Sequence, residues 1–466
     1  MATLDLITSA ELAARLAPLE AFIRANEEGV RQNREEIARV LSLIGSTPPP
    51  PDGITIGLED NIQEAILDAN GQQIWMKDGI YKPFEVVSNT RVQAINPGMA
   101  EVQGVSDWNG GWVSSGAAWY KDLAYTFHQH PAHAVHSGDG QPSQRGLAHR
   151  AAMQPHLLLF GGAMMHPVYS ANDLVPGTFW LEGTSASPKG IWAIFPESAS
   201  PTSGRVQLGT SQYLIRGKTA DVDGVELDGL TLRYCANTGT FGALHMEPDM
   251  EYWRVTNCGI YDTMSEGARL RGSNHVFDTL KADRNGHVGI AAQGLFRSQL
   301  LGCEASHNVW RSGVDPLWHA GGLKWQYGCN ENVILNLLAS HNGGAGMWLD
   351  IYNTGNVIDG FLLENNKAFG LHIEPHTTDG VVQNGAIRGT RPVDLGSRIV
   401  QADLRLQRGI TGYKIKDVQA GHIYYKKDGG TDLSGFNTFE NVVYDTMKID
   451  GSASVMSDNY INTKQP

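Results

Sequence analysis

The sequence predicts an all-β fold: a single-stranded solenoid of short parallel strands, a parallel β-helix. It carries a small β insertion and follows an N-terminal α-helical stalk that forms a trimeric coiled coil. Three observations predict this. Glycines that open apolar strands recur at separations of 22, 33, 24 and 24 residues in the second half. The chain holds 54 glycines and 20 prolines without a G-X-Y period, which calls for many tight turns and excludes collagen. An unbroken heptad pattern lies near the start and ends at four consecutive prolines.

At 466 residues the chain suffices for several ordinary domains or one elongated repetitive one. With 41% hydrophobic and 18% charged residues it is not a disordered chain. A net charge of −13 argues against non-specific partnership with nucleic acid or anionic membrane. The opening residues lack a basic start followed by an apolar run, so no secretory signal is expected. No run of 18 apolar residues exists, so no membrane insertion is expected. Cys235, Cys258, Cys303 and Cys329 form no CxxC pair and read as buried thiols.

Residues 1–45 read as the stalk. Leu19, Ile23, Asn26, Val30, Asn33, Ile37, Val40 and Ile44 are spaced alternately four and three apart, which keeps one seam facing a partner. Buried asparagines lower stability but fix register and oligomeric state. β-Branched residues at a with asparagine at d resemble the stalk layers of trimeric adhesins and phage fibres, which implies a homotrimer. The other reading is an amphipathic helix folded against its own domain. Pro48, Pro49, Pro50 and Pro51 then end the helix, and residues 46–53 form a semi-rigid spacer.

Residues 54–106 open the solenoid. Ile62, Ala65, Ile66 and Ala69 share one helical face, and short strands follow at 72–77, 80–86 and 91–95. A helix followed by WMKDGIY resembles the entry of right-handed parallel β-helix proteins, where a helix plugs the open end of the coil. Residues 107–206 are an inserted subdomain with Trp108, Trp112 and Trp119, a His-rich stretch, and a hairpin with strands near 178–182 and 190–195. It resembles the small β insertion of bacterial polysaccharide-acting β-helix proteins.

Residues 207–400 are the main coil. Gly267, Gly289, Gly322, Gly346 and Gly370 open successive strands, and one rung of three strands and three turns needs about this repeat. The long rung holds roughly ten extra residues. Asn285, Asn342 and Asn366 stand four positions before their glycines and predict a side-chain amide ladder. Val333/Ile334, Val357/Ile358 and Val381/Val382 recur in phase as buried-strand residues. After residue 400 the register is expected to lapse, so 401–466 read as irregular final rungs and a cap. The pattern from Gly346 to Glu374 is similar to that of the right-handed parallel β-helix proteins of the pectate-lyase-like superfamily, including phage tailspikes.

Alternation along each strand assigns the chemistry. Two places after each glycine stand Arg269, Ala291, Lys324, Trp348 and His372, expected to point outward and to be exposed. Four places after stand Arg271, Gln293, Gln326, Asp350 and Glu374. Leu270, Trp325, Leu349 and Ile373 are expected inside. Cations, an aromatic and carboxylates in one strip suit a carbohydrate groove, with Arg269, Lys324, Gln326, Trp348 and His372 as binding residues. Asp315 and His319, on the extra loop of the long rung, project beside it. Asp350 and Glu374, about 5 Å apart on adjacent rungs, fit the acid and nucleophile of a retaining glycosidase. A lyase would instead use Lys324 or His372 as base and Arg269 or Arg271 to neutralise a uronate. His128, His130, His133 and His136 lack a firm ligand pattern, so no metal and no cofactor are expected.

Together these features are similar to tailspikes in architecture. The resemblance implies a trimeric spike on a phage or phage-derived particle, anchored to head or tail through the stalk, that binds host surface polysaccharide. It would be made in the cytoplasm without a signal peptide and act on the virion. A polysaccharide-degrading enzyme and a structural fibre without ligand are the alternatives.

Overall fold

In the computed structural model the described residues are 53–123, 155–184, 187–312, 314–394, 399–407, 410–426, 437–450 and 461–462. The stalk heptad, the four prolines and the stretch His128–His136 lie outside them. Among the described residues no helix is long and apolar enough to cross a membrane.

Twenty-nine short strands join into one coiled parallel sheet, and three strand columns wind about a common core. One column carries the site, and its strands are named here: β1 Gly242–His245, β2 Glu266–Ser273, β3 Val288–Phe296, β4 Gly321–Gln326, β5 Ala345–Leu349, β6 Phe369–Ile373 and β7 Ala402–Leu406. Each pairs in parallel with the next, so Lys324 lies beside Trp348, Trp348 beside His372, and His372 beside Arg405. Leu270, Trp325, Leu349 and Ile373 are buried in the central core, as alternation requires. All four cysteines are buried and free. Gly242 pairs with Glu266, one place before Gly267, so it does not open its rung in the same phase as the later glycines.

Helix α1, Ile62–Ala69, closes the first rung. Asn61 caps it by accepting from the backbone N–H of Gln63 and Glu64, while Ile62, Ile66 and Ala69 enter the core. The Gln63 amide donates to Glu85 O (3.0 Å) and accepts from Glu85 N (2.8 Å), so one side chain occupies hydrogen-bonding positions that a further strand would fill.

The amide ladder is continuous. Asn285 Nδ2 donates to Asn308 Oδ1 (3.0 Å), Asn308 to Asn342 (3.0 Å), and Asn342 to Asn366 (2.8 Å). It also explains the glycine repeat. A Cβ on Gly267, Gly289, Gly322 or Gly346 would stand 2.5–2.8 Å from the amide nitrogen of Asn285, Asn308, Asn342 or Asn366 respectively. Each strand opens with glycine because the ladder occupies the space.

Two rungs are long. Ile290 pairs with Leu323 and Leu371 with Leu404, 33 residues on in each case. The first excess is the loop ending at Ala320. The second holds a small antiparallel pair, Val393–Asp394 with Ile399–Val400. Beyond residue 400 the register does not lapse: Arg405 pairs with Tyr424 and Tyr424 with Lys448. Residues 104–209 contribute a four-stranded and a five-stranded sheet with a separate core that includes Leu158, Phe179, Ile191, Phe195 and Val206.

Candidate functional site

Outward-pointing residues of β1–β7 form two parallel columns. The first runs His245, Arg269, Ala291, Lys324, Trp348, His372 and Arg405. It points away from the coil as expected, but it is not exposed: Arg269 is 1%, Lys324 3%, Trp348 4% and His372 1% accessible. The two long rungs supply the cover. Trp348 packs with Phe369, Val393 and Ala402, and against Leu317 and Val400, in a cluster outside the central core. Arg269, Lys324, Trp348 and His372 are therefore not surface sugar contacts as the chain stands.

His319 is buried too. Its Nε2 lies 2.6 Å from Glu266 Oε1, and Arg269 Nη1 lies 3.2 Å from the same oxygen. A carboxylate with no exposure needs such partners, so His319 ties its loop down rather than projecting from it. Asp315 is half-exposed, and its Oδ1 accepts from Leu317 N (2.9 Å), which shapes its own turn.

The second column is a half-exposed polar ridge of Glu247, Arg271, Gln293, Gln326, Asp350, Glu374 and Gln407. Gln293 Oε1 accepts from Arg271 Nη2 (2.6 Å) and from the buried Arg269 Nη2 (2.8 Å), and Arg271 Nη1 reaches Glu247 Oε2 at 3.4 Å. Glu247, Gln407 and Arg405 escaped the sequence reading because no in-phase glycine precedes them.

At one end of the ridge three ionisable groups meet. Lys324 Nζ stands 2.9 Å from Asp350 Oδ2 and 3.3 Å above the centroid of the Trp348 ring. Asp350 and Glu374 are in side-chain hydrogen-bond contact, nearer than the separation expected from the sequence. Burial, then the hydrogen bond and charge of Asp350, push Glu374 up to about 8. Burial also raises Asp350, but Lys324 and the Glu374 hydrogen bond outweigh it and hold its carboxyl below the usual value. Burial weakens the hold of Lys324 on its proton, against the pull of Asp350. At neutral pH the three groups thus form an ammonium, a carboxylate and a carboxylic acid, with no net charge. Burial pushes His372 well below its ordinary range, with Arg405 and Lys324 adding to the effect. The Gln407 amide nitrogen donates to His372 Nε2 at 2.9 Å, as a neutral imidazole allows.

This arrangement offers a proton donor, Glu374, and a carboxylate acceptor, Asp350, each under one-fifth exposed at a polar surface. A substrate oxygen replacing Asp350 at the Glu374 proton would meet general acid geometry. With the carboxyls in contact there is no space between them for the carbon that a double displacement requires. Among the described residues no three His, Cys, Asp or Glu side chains gather as metal ligands.

A family described as right handed beta helix region matches residues 242–391. No curated protein sequence matches the chain. Among solved structures, a complex of XylC with xylose is similar over 82% of this chain and 83% of its own, at 11% identity and a TM-score of 0.50. The A-module of the mannuronan C-5 epimerase AlgE6 from Azotobacter vinelandii covers 89% of this chain and 99% of its own, at 11% identity and a TM-score of 0.43. The gp42 tailspike of Acinetobacter phage vb_AbaP_AS12 covers 88% and 66%, at 9% identity and a TM-score of 0.37.

Proposed function

The chain is a right-handed parallel β-helix with the pectate-lyase-like fold, and we propose that its polar ridge binds polysaccharide. One observation carries the proposal: successive rungs present Arg271, Gln293, Gln326, Asp350 and Glu374 half-exposed in a line. Planar polar groups repeated about every 4.8 Å suit the hydroxyls of an extended glycan. The finer reading is a spike of a phage or phage-derived particle that binds host surface polysaccharide, capsule or O-antigen, as a homotrimer held through the stalk. The heptad from Leu19 to Ile44 supports it, and three ridges per spike would convert weak contacts into avidity.

A second reading is favoured by Glu374. A carboxyl raised to about 8 beside an ionised Asp350 is poised as a general acid, which points to cleavage of the bound polymer. A glycan array probed with the purified protein, followed by chromatography for shortened products, tests both readings. Retention without cleavage supports the spike that binds. Cleavage lost in Glu374→Gln with retention preserved supports the enzyme. No retention on any surface polysaccharide defeats both and leaves the structural fibre.

A further inference from the structure

We propose a second glycan site, on the five-stranded sheet of the insertion, that takes neutral saccharides on an aromatic platform. Val168, Trp180, Trp192, Tyr120 and Val113 stand opposite one another, one on each strand, in a single row across the sheet. The opposite face carries Phe179, Leu181, Ile191 and Ala193, all buried in the insertion's core. The row therefore faces away from that core, and each of its members is half-exposed or exposed.

The rings are fixed rather than loosely placed. Trp192 Nε1 donates to Glu182 Oε2 (2.9 Å), and Tyr120 OH donates to Asp122 Oδ1 (2.9 Å). Tyr120 and Trp192 lie 4.8 Å apart by centroid, tilted by 44°. Gly190 lets the Tyr120 ring lie across the neighbouring strand, for a Cβ there would sit 2.5 Å from the ring. Ring faces laid along a sheet at the strand spacing of about 4.8 Å match the advance of sugar rings in an extended glycan.

The rim selects the ligand. Glu182 and Asp122 are carboxylates, and only Lys189, 3.6 Å from Glu182, offsets them. A net acidic rim repels uronates and phosphates, whereas sugar hydroxyls can donate to those oxygens. A protein partner covering the row would have to bury both carboxylates, which is costly without new cations. A neutral oligosaccharide is the occupant that fits both rings and rim. The site shares no residue with the ridge and does not depend on it.

Saturation-transfer NMR on the full chain with xylohexaose and cellohexaose tests this. Transfer to the sugar-ring protons is expected, falling about tenfold in Trp192→Ala and in Trp180→Ala, partly restored in Trp192→Phe, and unchanged in Gln326→Ala on the ridge. The proposal is overturned by the absence of transfer to either sugar, or by equal transfer in the two alanine variants. It is also overturned if sedimentation shows that these variants lower the oligomeric state, since the row would then be a contact between copies. Loss of transfer in Gln326→Ala alone would assign the signal to the ridge instead.

Discussion

Lys324 and Asp350, on adjacent rungs, form an ion pair with 2.9 Å between Nζ and Oδ2, and this pair decides which carboxyl of the site holds a proton. With Asp350 kept ionised by the ammonium, Glu374 takes the proton and rises to about 8. An acid whose folded pKa lies above its ordinary 4.5 binds more protons folded than unfolded. Its contribution is fully present below about 4.5 and is lost as pH rises through about 8. Asp350 has the opposite sign, but its window lies below 3.8. Melting temperatures from pH 5 to 9 should therefore decline more steeply for the natural chain than for Glu374→Gln. Parallel curves would mean that Glu374 is ionised throughout.

Trp348 is now a packing residue. Trp348→Ala should cost about 3–5 kcal/mol, the range for a buried aromatic, because it empties the cluster that holds the Val393–Val400 segment down. Trp348→Phe should cost far less, since the indole N–H has no hydrogen-bond partner. Denaturant unfolding of both variants checks this. Equal stability of Trp348→Ala and the natural chain would show that the covering segment does not hold.

Asn342→Leu removes the acceptor used by Asn308 and the donor that serves Asn366. The cost should be about 1–3 kcal/mol for the amide left short of a partner, plus strain from a branched side chain beside Gly322. Thermal unfolding reads it out. An unchanged midpoint would count against a working ladder at this rung.

The sequence alone was enough to read the coil because its repeat has a local cause. The ladder amides exclude a Cβ at Gly267, Gly289, Gly322 and Gly346, so fold and glycine spacing are one fact. Alternation also placed Trp325 inside and Trp348 outside the coil. Outside did not mean exposed, because cover comes from residues more than forty positions away: Val393 and Val400 lie over Trp348 through tertiary packing that no local period encodes. Asn308 was missed for a related reason. The extra loop of its rung falls between it and Gly322, which breaks the four-residue spacing. The second long rung was missed because Ala402 stands where earlier strands open with glycine.

The stalk gives a prediction independent of the coil. With Ile23, Val30, Ile37 and Ile44 at a and Asn26 and Asn33 at d, the full chain should sediment as a homotrimer. Asn26→Leu together with Asn33→Leu should raise stalk stability but loosen its choice of oligomeric state. A monomer at micromolar concentration would remove the avidity on which the spike reading depends.

The ridge itself is tested by Arg271→Ala and Gln326→Ala. Both side chains are half-exposed, and neither belongs to the central core. Gln326→Ala should leave the coil unchanged. Arg271→Ala frees Gln293, which keeps Arg269 as a donor, so the rung should also survive. If polysaccharide lies along the ridge, each variant should weaken retention by about 1–2 kcal/mol, the worth of a hydrogen bond or two to an exposed polar group. The two effects should add, because the residues are two rungs apart and share no partner. Arg271→Lys separates the roles of charge and shape. An ammonium keeps the charge but loses the planar fork, so recovery in the lysine variant would indicate an acidic glycan and continued loss a hydroxyl pair read by the guanidinium. Full retention in both alanine variants, with melting curves unmoved, would place the ligand elsewhere on the molecule.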